Sequence, residues 1–248
     1  MITTAIALLL SLHVPQQDAS EPTKLSASQI MSRVFSRYAA AQSAVGSIKM
    51  TQSAQNVSVN IETELQFDRP SKLYLHQSRN GSRPGQWLVC SDGKEFSYDR
   101  PEGGFGKPRY VELVTQGGVE QKIGDFYMAA EKSLGEMNAM LDIAISQPSR
   151  LRRLMAQWAT LTYQGKVALN GVDVQKITGE YRDDPKLAPS GKFEIYVNDA
   201  GDFVRYVVNE RFMFPSRSKE PIDITTVWDS NIKLGAKTEP ALYRVIGN

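Results

Sequence analysis

The chain has 248 residues, 41% of them apolar and 23% charged, the composition of an ordinary folded protein. Its 29 basic and 27 acidic side chains leave a formal net charge of +2, too balanced for a nucleic-acid binder, which carries a basic excess. A single cysteine, Cys90, excludes an intramolecular disulfide and a thiolate metal cluster.

The first residues read MITTAIALLLSLHVPQQDAS. The apolar run 5–12 is too short to span a bilayer and has the length of a signal-peptide core, so residues 1–20 are read as an export signal and 21–248 as one domain. No cysteine stands near the cleavage zone, which argues against a lipid anchor. Residues 15–27 read as a polar linker. The spacing predicts a helix over 28–44, with Ile30, Met31, Val34, Phe35 and Tyr38 on one stripe, Ser26 or Ser28 as cap and Gly46 just past its end.

Strands are predicted at 47–53, 57–67, 71–79, 86–91 and 94–99. The second is the clearest: Val57, Val59, Ile61, Thr63, Leu65 and Phe67 alternate with Ser58, Asn60, Glu62, Glu64 and Gln66, the pattern of one buried and one wet face. Arg69-Pro70 ends that run, because proline cannot donate to a ladder. Asp92-Gly93 is read as a two-residue hairpin turn. The EGGFG segment 102–106 lacks the following helix start and Lys-Ser/Thr of a phosphate cradle.

Residues 108–114 form a further candidate strand, and 125–145 a helix with apolar positions at three- and four-residue spacing. A short helix follows, with Pro148 in its first turn. Arg150, Arg152 and Arg153 on it read first as a solvated face and second as a docking surface for anionic headgroups or an acidic partner. Strands return at 158–169 and 172–181 around Asn170-Gly171, at 191–198 and 202–213 around 199–201, and at 222–234. The tail at 241–246 has no assigned form.

Catalytic signals are scarce. His13 falls in the signal segment, and His76 stands alone on a strand, without the partners of a nucleophilic triad or a zinc site. Glu62 and Glu64 share the wet face of one strand, whereas acid–base chemistry wants carboxylates in contrasting surroundings. Neither a metal site nor a cofactor is expected, and the chain is read as a non-enzyme. Cys90 reads as a buried, inert residue. Met137 and Met140, facing Leu, Ile and Phe of the sheet, fit a packed core first and a hydrophobic pocket second.

The segments AAAQSAVGSIKM, FDRPSKLYL, LVCSDGKEFSYD, LNGVDVQKITGEY and FEIYVNDAGDFVRYVV together resemble the LolA/LolB-like lipoprotein-carrier superfamily, in its broad bacterial branch, over residues 28–230. Arg69-Pro70 matches that family's break between strands, and Asp92-Gly93 and 199–201 its turns. The resemblance implies a mainly β, α+β fold: a highly curved antiparallel half-barrel with helices covering the concave face. It also implies a periplasmic or secreted carrier of lipid or lipoprotein acyl chains. The alternative it leaves is an envelope regulator or scaffold that binds a protein partner with the same fold. The specialised lipid-handover residues of the true carriers are not placed on this sequence by the resemblance. On the carrier reading the ligand would be lined by Ile61, Leu65, Leu75, Val89, Met137, Leu141, Phe193 and Ile195, which lie on apolar stripes of elements expected to face one another.

Overall fold

The computed structural model describes residues 25–80, 85–99, 109–113, 139–145, 148–182, 190–212 and 220–245. Helix α1 spans Ala27–Ala40. Ser26 caps it with both bonds of a capping box: its hydroxyl accepts from the Gln29 amide at 3.2 Å, and the Gln29 side chain accepts from the Ser26 amide at 2.8 Å. The expected stripe is the buried one, with Ile30, Met31, Val34 and Tyr38 turned inward.

Eleven strands follow among the described residues: β1 (Ser43–Ala54), β2 (Val57–Asp68), β3 (Lys72–Asn80), β4 (Gly85–Asp92), β5 (Glu95–Asp99), β6 (Arg109–Leu113), β7 (Trp158–Leu169), β8 (Val172–Tyr181), β9 (Ser190–Val197), β10 (Phe203–Phe212) and β11 (Ile222–Leu234). Between β6 and β7 lie α2 (Ala139–Ile145) and α3 (Pro148–Ala156), and a 3-10 turn at Pro240–Tyr243 follows β11. All strands belong to one sheet, ordered β6-β5-β4-β3-β2-β1-β11-β10-β9-β8-β7, with every neighbouring pair antiparallel. Two meanders thus join where β1 pairs with β11 through eleven residue pairs, from Ala44↔Leu234 to Ala54↔Ile224. The sheet is open, a curved half-barrel whose ends are β6 and β7. This is the mainly β architecture expected from the alternation and the hairpins.

One face of the sheet carries the core. Ile48, Met50, Ile61, Leu65, Leu75 and Val89 line one wing, and Ile177, Phe193, Ile195, Tyr206, Val208 and Trp228 the other. Val34 and Tyr38 of α1 and Leu141, Ile143 and Ala144 of α2 belong to the same cluster. The Tyr38 hydroxyl accepts from the Phe203 amide at 3.2 Å, tying α1 to the start of β10. The opposite face is ionic. Lys176, Tyr196, Arg205, Asp229, Lys49 and Glu62 stand in register across β8, β9, β10, β11, β1 and β2. Arg205 reaches Asp229 at 2.6 Å, Lys49 reaches Glu62 at 3.2 Å, and Lys176 reaches Glu194, itself bonded to Tyr196, at 2.8 Å. Such half-exposed pairs add little stability and mark a solvated surface.

The structure departs from the sequence reading in four places. The first helix stops at Ala40 instead of 44, and β1 begins at Ser43 instead of 47. Residues 43–46 are paired on both sides, with β2 and with β11, and those ladders outweigh local helix propensity. Gly46 is therefore no helix terminator: it sits in β1 where a Cβ would run into the backbone of Asn231 and Ile232. The β4–β5 turn falls at Gly93 and Lys94, one residue later than expected, because the Asp92 carboxylate turns back to accept from the Lys94 and Glu95 amides at 2.7 and 2.9 Å. Of the helix expected over 125–145, the described part is α2; 125–138, including Met137, lies outside the described residues.

Candidate functional site

Seven of the eight residues expected to line a ligand are placed, and all seven lie in the core. Ile61, Leu65, Leu75 and Val89 come from β2, β3 and β4, Phe193 and Ile195 from β9, and Leu141 from α2; none is more than 3% exposed. The sequence reading thus chose residues of one contiguous apolar cluster. Open space lies beside that cluster. A groove of about 470 Å³ runs between α1, α3 and the start of β7. That volume falls within the range of small-molecule sites.

The groove is built by periodicity. On α1, Ser28, Ser32 and Ser36 follow one another at four-residue spacing, with Met31 and Phe35 beside them. They form a wall half hydroxyl and half apolar. Met155 from α3 faces it, and Trp158, Ala159, Thr160 and Leu161 of β7 complete the lining. Met155 is 40% exposed although Leu151 and Leu154 of the same helix are buried, so α3 leaves a flexible apolar side chain at the rim.

Trp158 joins the groove to the core. It is only 6% exposed, yet it lines the groove on one side and packs on Phe193 on the other, ring centroids 5.2 Å apart. Phe35 stacks on it at 6.3 Å. Behind it, Phe193 contacts Tyr181 at 5.3 Å and Tyr206 at 5.9 Å, and Tyr206 stacks on Trp228 at 5.3 Å. The polar atoms of Tyr181, Tyr206 and Trp158 in this run are matched to one another, whereas the Trp228 indole N–H is buried with no hydrogen-bond partner among the described residues. The Tyr181 and Tyr206 hydroxyls are 2.8 Å apart, and the Trp158 indole N–H donates to Tyr206 at 3.4 Å. Burial raises the pKa of both phenols, so they stay neutral. Glu210 continues the inward row of Tyr206 and Val208 on β10, and burial alone pushes its carboxyl up to about 7.

Other candidates stay at the surface. His76 faces Glu64 at 3.7 Å on the wet side of the sheet, both at least 30% exposed, and Glu62 pairs with Lys49. Cys90 is buried, its thiol directed at the Leu242 carbonyl at 3.8 Å. Among the described residues no three His, Cys, Asp or Glu side chains converge as a metal site would require, and no helix is long and apolar enough to cross a membrane. The sequence reading missed the groove itself. Its signals were present: a serine row beside the apolar stripe of the first helix, and Trp158 just beyond an arginine-rich helix.

No family model matches the chain, and no curated protein matches it. Solved structures do. The chain is similar to the lipoprotein LppX of Mycobacterium tuberculosis, with 9% identity and a TM-score of 0.43 over 82% of this chain and 91% of that one. It is similar to LprF of Mycobacterium bovis, with 15% identity and a TM-score of 0.35 over 81% and 90%. It is also similar to a LolA superfamily protein of Nitrosomonas europaea, with 9% identity and a TM-score of 0.34 over 89% and 98%.

Proposed function

We propose that the protein is a non-enzymatic, exported binder of acyl chains, held in the apolar space between the helices and the concave face of the sheet. The observation that carries this reading is the groove: about 470 Å³, with an apolar floor that continues through Trp158 into the aromatic core. A lipid chain needs apolar contact, which Met31, Phe35, Met155, Trp158 and Leu161 supply, and its polar end can meet the serine hydroxyls of α1. Each buried methylene contributes roughly 0.8 kcal/mol, so a chain of about fourteen carbons gains on the order of 10 kcal/mol gross. Lost ligand freedom offsets several kcal/mol of that, which leaves micromolar affinity. On this reading Phe193 and Ile195 form the wall behind Trp158, and Ile61, Leu65, Leu75, Val89 and Leu141 belong to the packed core beneath it.

The test is a titration with a fluorescent acyl probe. Wild type is expected to bind saturably. Ser32→Trp, which fills the groove from an exposed helical position, is expected to abolish binding while circular dichroism stays unchanged. Absence of saturable binding to wild type would overturn the carrier reading.

One observation favours the second reading, a partner-binding regulator. Among the described residues β7 has a strand neighbour on one side only, so the backbone edge of Trp158–Leu169 is open beside the groove. An added strand from a partner could pair there. Its two bulges and Lys166 blunt that edge, which places this reading second.

A further inference from the structure

We infer that the ligand of the groove carries an anionic headgroup, so that the site selects a negatively charged lipid over a neutral one. This rests on the acyl-chain reading and adds what that reading leaves open, the chemistry of the polar end. The observation is a charge segregation. The three elements that line the groove, α1, α3 and β7, contain Arg33, Arg37, Arg150, Arg152, Arg153 and Lys166 and no Asp or Glu. That leaves 23 basic against 27 acidic side chains for the rest of the chain. The protein is close to neutral, yet the frame of this groove is of a single sign.

Not all six cations act there. Arg37 is paired with Asp202 at 2.9 Å and Lys166 with Asp199 at 2.8 Å, both at the β9–β10 turn. Arg152 of α3 is differently placed. Arg152 is exposed and stands three residues before Met155, hence on the same side of the helix as the side chain at the groove rim. Arg150 and Arg153 add charge on the same short helix. An acyl chain lying on Met31, Phe35 and Trp158 would leave its head near Met155, within the field of α3. Guanidinium groups suit this task, since they pair with phosphate and carboxylate oxygens through two N–H donors and are weakly hydrated. The hydroxyls of Ser28, Ser32 and Ser36 supply neutral donors along the wall.

Two lysolipids with the same acyl chain separate this inference from the reading beneath it. Lysophosphatidylcholine carries no net charge, and lysophosphatidylglycerol carries one negative charge. Each is titrated into the wild-type protein, with displacement of a fluorescent acyl probe as readout. The anionic lipid is expected to bind about tenfold more tightly at low salt, the effect of one to two arginines near a lipid phosphate. That advantage should fall below about twofold at high salt, where exposed charges are screened. The variant Arg150→Gln/Arg152→Gln/Arg153→Gln should lose the preference and keep the affinity for the neutral lipid, with unchanged circular dichroism. If that variant does not fold, Arg152→Gln alone should reduce the preference severalfold. Equal affinity for the two lipids, or a preference that survives in the variant, overturns the inference and leaves the acyl-chain reading standing. Binding of neither lipid overturns both and passes the groove to the protein-partner reading.

Discussion

Arg69 donates to the carbonyl oxygen of Ile145 at 2.9 Å, so the residue that ends β2 also closes the C-terminus of α2. The same Nη2 lies 3.4 Å from the Tyr38 carbonyl, near the end of α1, and the guanidinium sits over the Phe67 ring at 5.0 Å. Helix C-termini leave carbonyls without intrahelical partners and carry partial negative charge, so one cation here serves two helices. Arg69 thereby fixes the helical layer over the sheet.

Arg69→Gln is expected to destabilise the fold by about 2–3 kcal/mol, the range for charge-assisted bonds to half-buried carbonyls. Arg69→Lys should recover only part of this, because an ammonium lacks the planar fork. Urea denaturation followed by circular dichroism reads both. Wild-type midpoints in both variants would show that the two helices are held by packing alone.

Tyr206 should prove the least replaceable residue of the aromatic run. Tyr206→Phe keeps the ring and removes the oxygen that serves both Tyr181 and the Trp158 indole. Two buried groups then lose a partner, at a cost of about 1–3 kcal/mol each, less what they recover from each other. Replacing both tyrosines with phenylalanine should cost less than the two single changes added together, since Tyr181→Phe removes one of the stranded groups. A double-mutant cycle by chemical denaturation measures that coupling, and strict additivity would contradict it.

Glu210 makes stability depend on pH in a definite direction. Burial pushes its folded-state pKa up to about 7, above the ordinary glutamate value of 4.5. The folded protein then holds a proton that the unfolded chain has released, so stability falls as pH rises from about 4.5 to 7 and levels off above that. The change is on the order of 1–3 kcal/mol. Glu210→Gln should flatten that slope and raise the urea midpoint at pH 8, while leaving it nearly unchanged at pH 4. A wild-type profile that rises with pH across this window would refute the assignment.

The sheet was legible because its signals are local. Alternation from Val57 to Phe67 set the faces of β2, and Asn170-Gly171 marked a turn whose two residues both take positive φ. What escaped depends on distant chain segments. Gln66 alternates onto the outer face, yet it is 2% exposed, because the tail after β11 lies across it. Its amide donates to the Glu239 carbonyl at 2.7 Å and accepts from the Glu239 amide at 3.0 Å. No pattern within β2 contains that information. The groove escaped for the same reason: its wall is the serine row of α1 and its floor is Trp158, far apart in the chain. The seven described residues read from apolar stripes lie in the core; periodicity identifies the inward face but not where packing leaves space. Leu141 shows the consequence. At 0% exposure, Leu141→Lys would report on folding, and the groove is better probed from Ser32.

Gly179 links sheet packing to the groove, and its substitution tests that link. It pairs with Phe193 of β9 and Leu161 of β7. A Cβ there would run into the Phe193 ring and the Thr160 carbonyl. The ring can turn; the carbonyl moves only if β7 moves. Among the described residues β8 is the one strand neighbour of β7, so Gly179→Ala should push β7 outward and lift Phe193 off Trp158. Overpacking of this kind costs about 1–3 kcal/mol. Trp158 would lose the contact that keeps it 6% exposed, and its emission should shift to the red. Because Trp87 and Trp228 also emit, the shift is assigned by its absence in Gly179→Ala/Trp158→Phe. Affinity for an acyl probe should fall with it, since the groove floor is displaced. Emission and stability equal to wild type would mean that Phe193 turns without disturbing β7, and the groove would then be mechanically independent of the sheet interior.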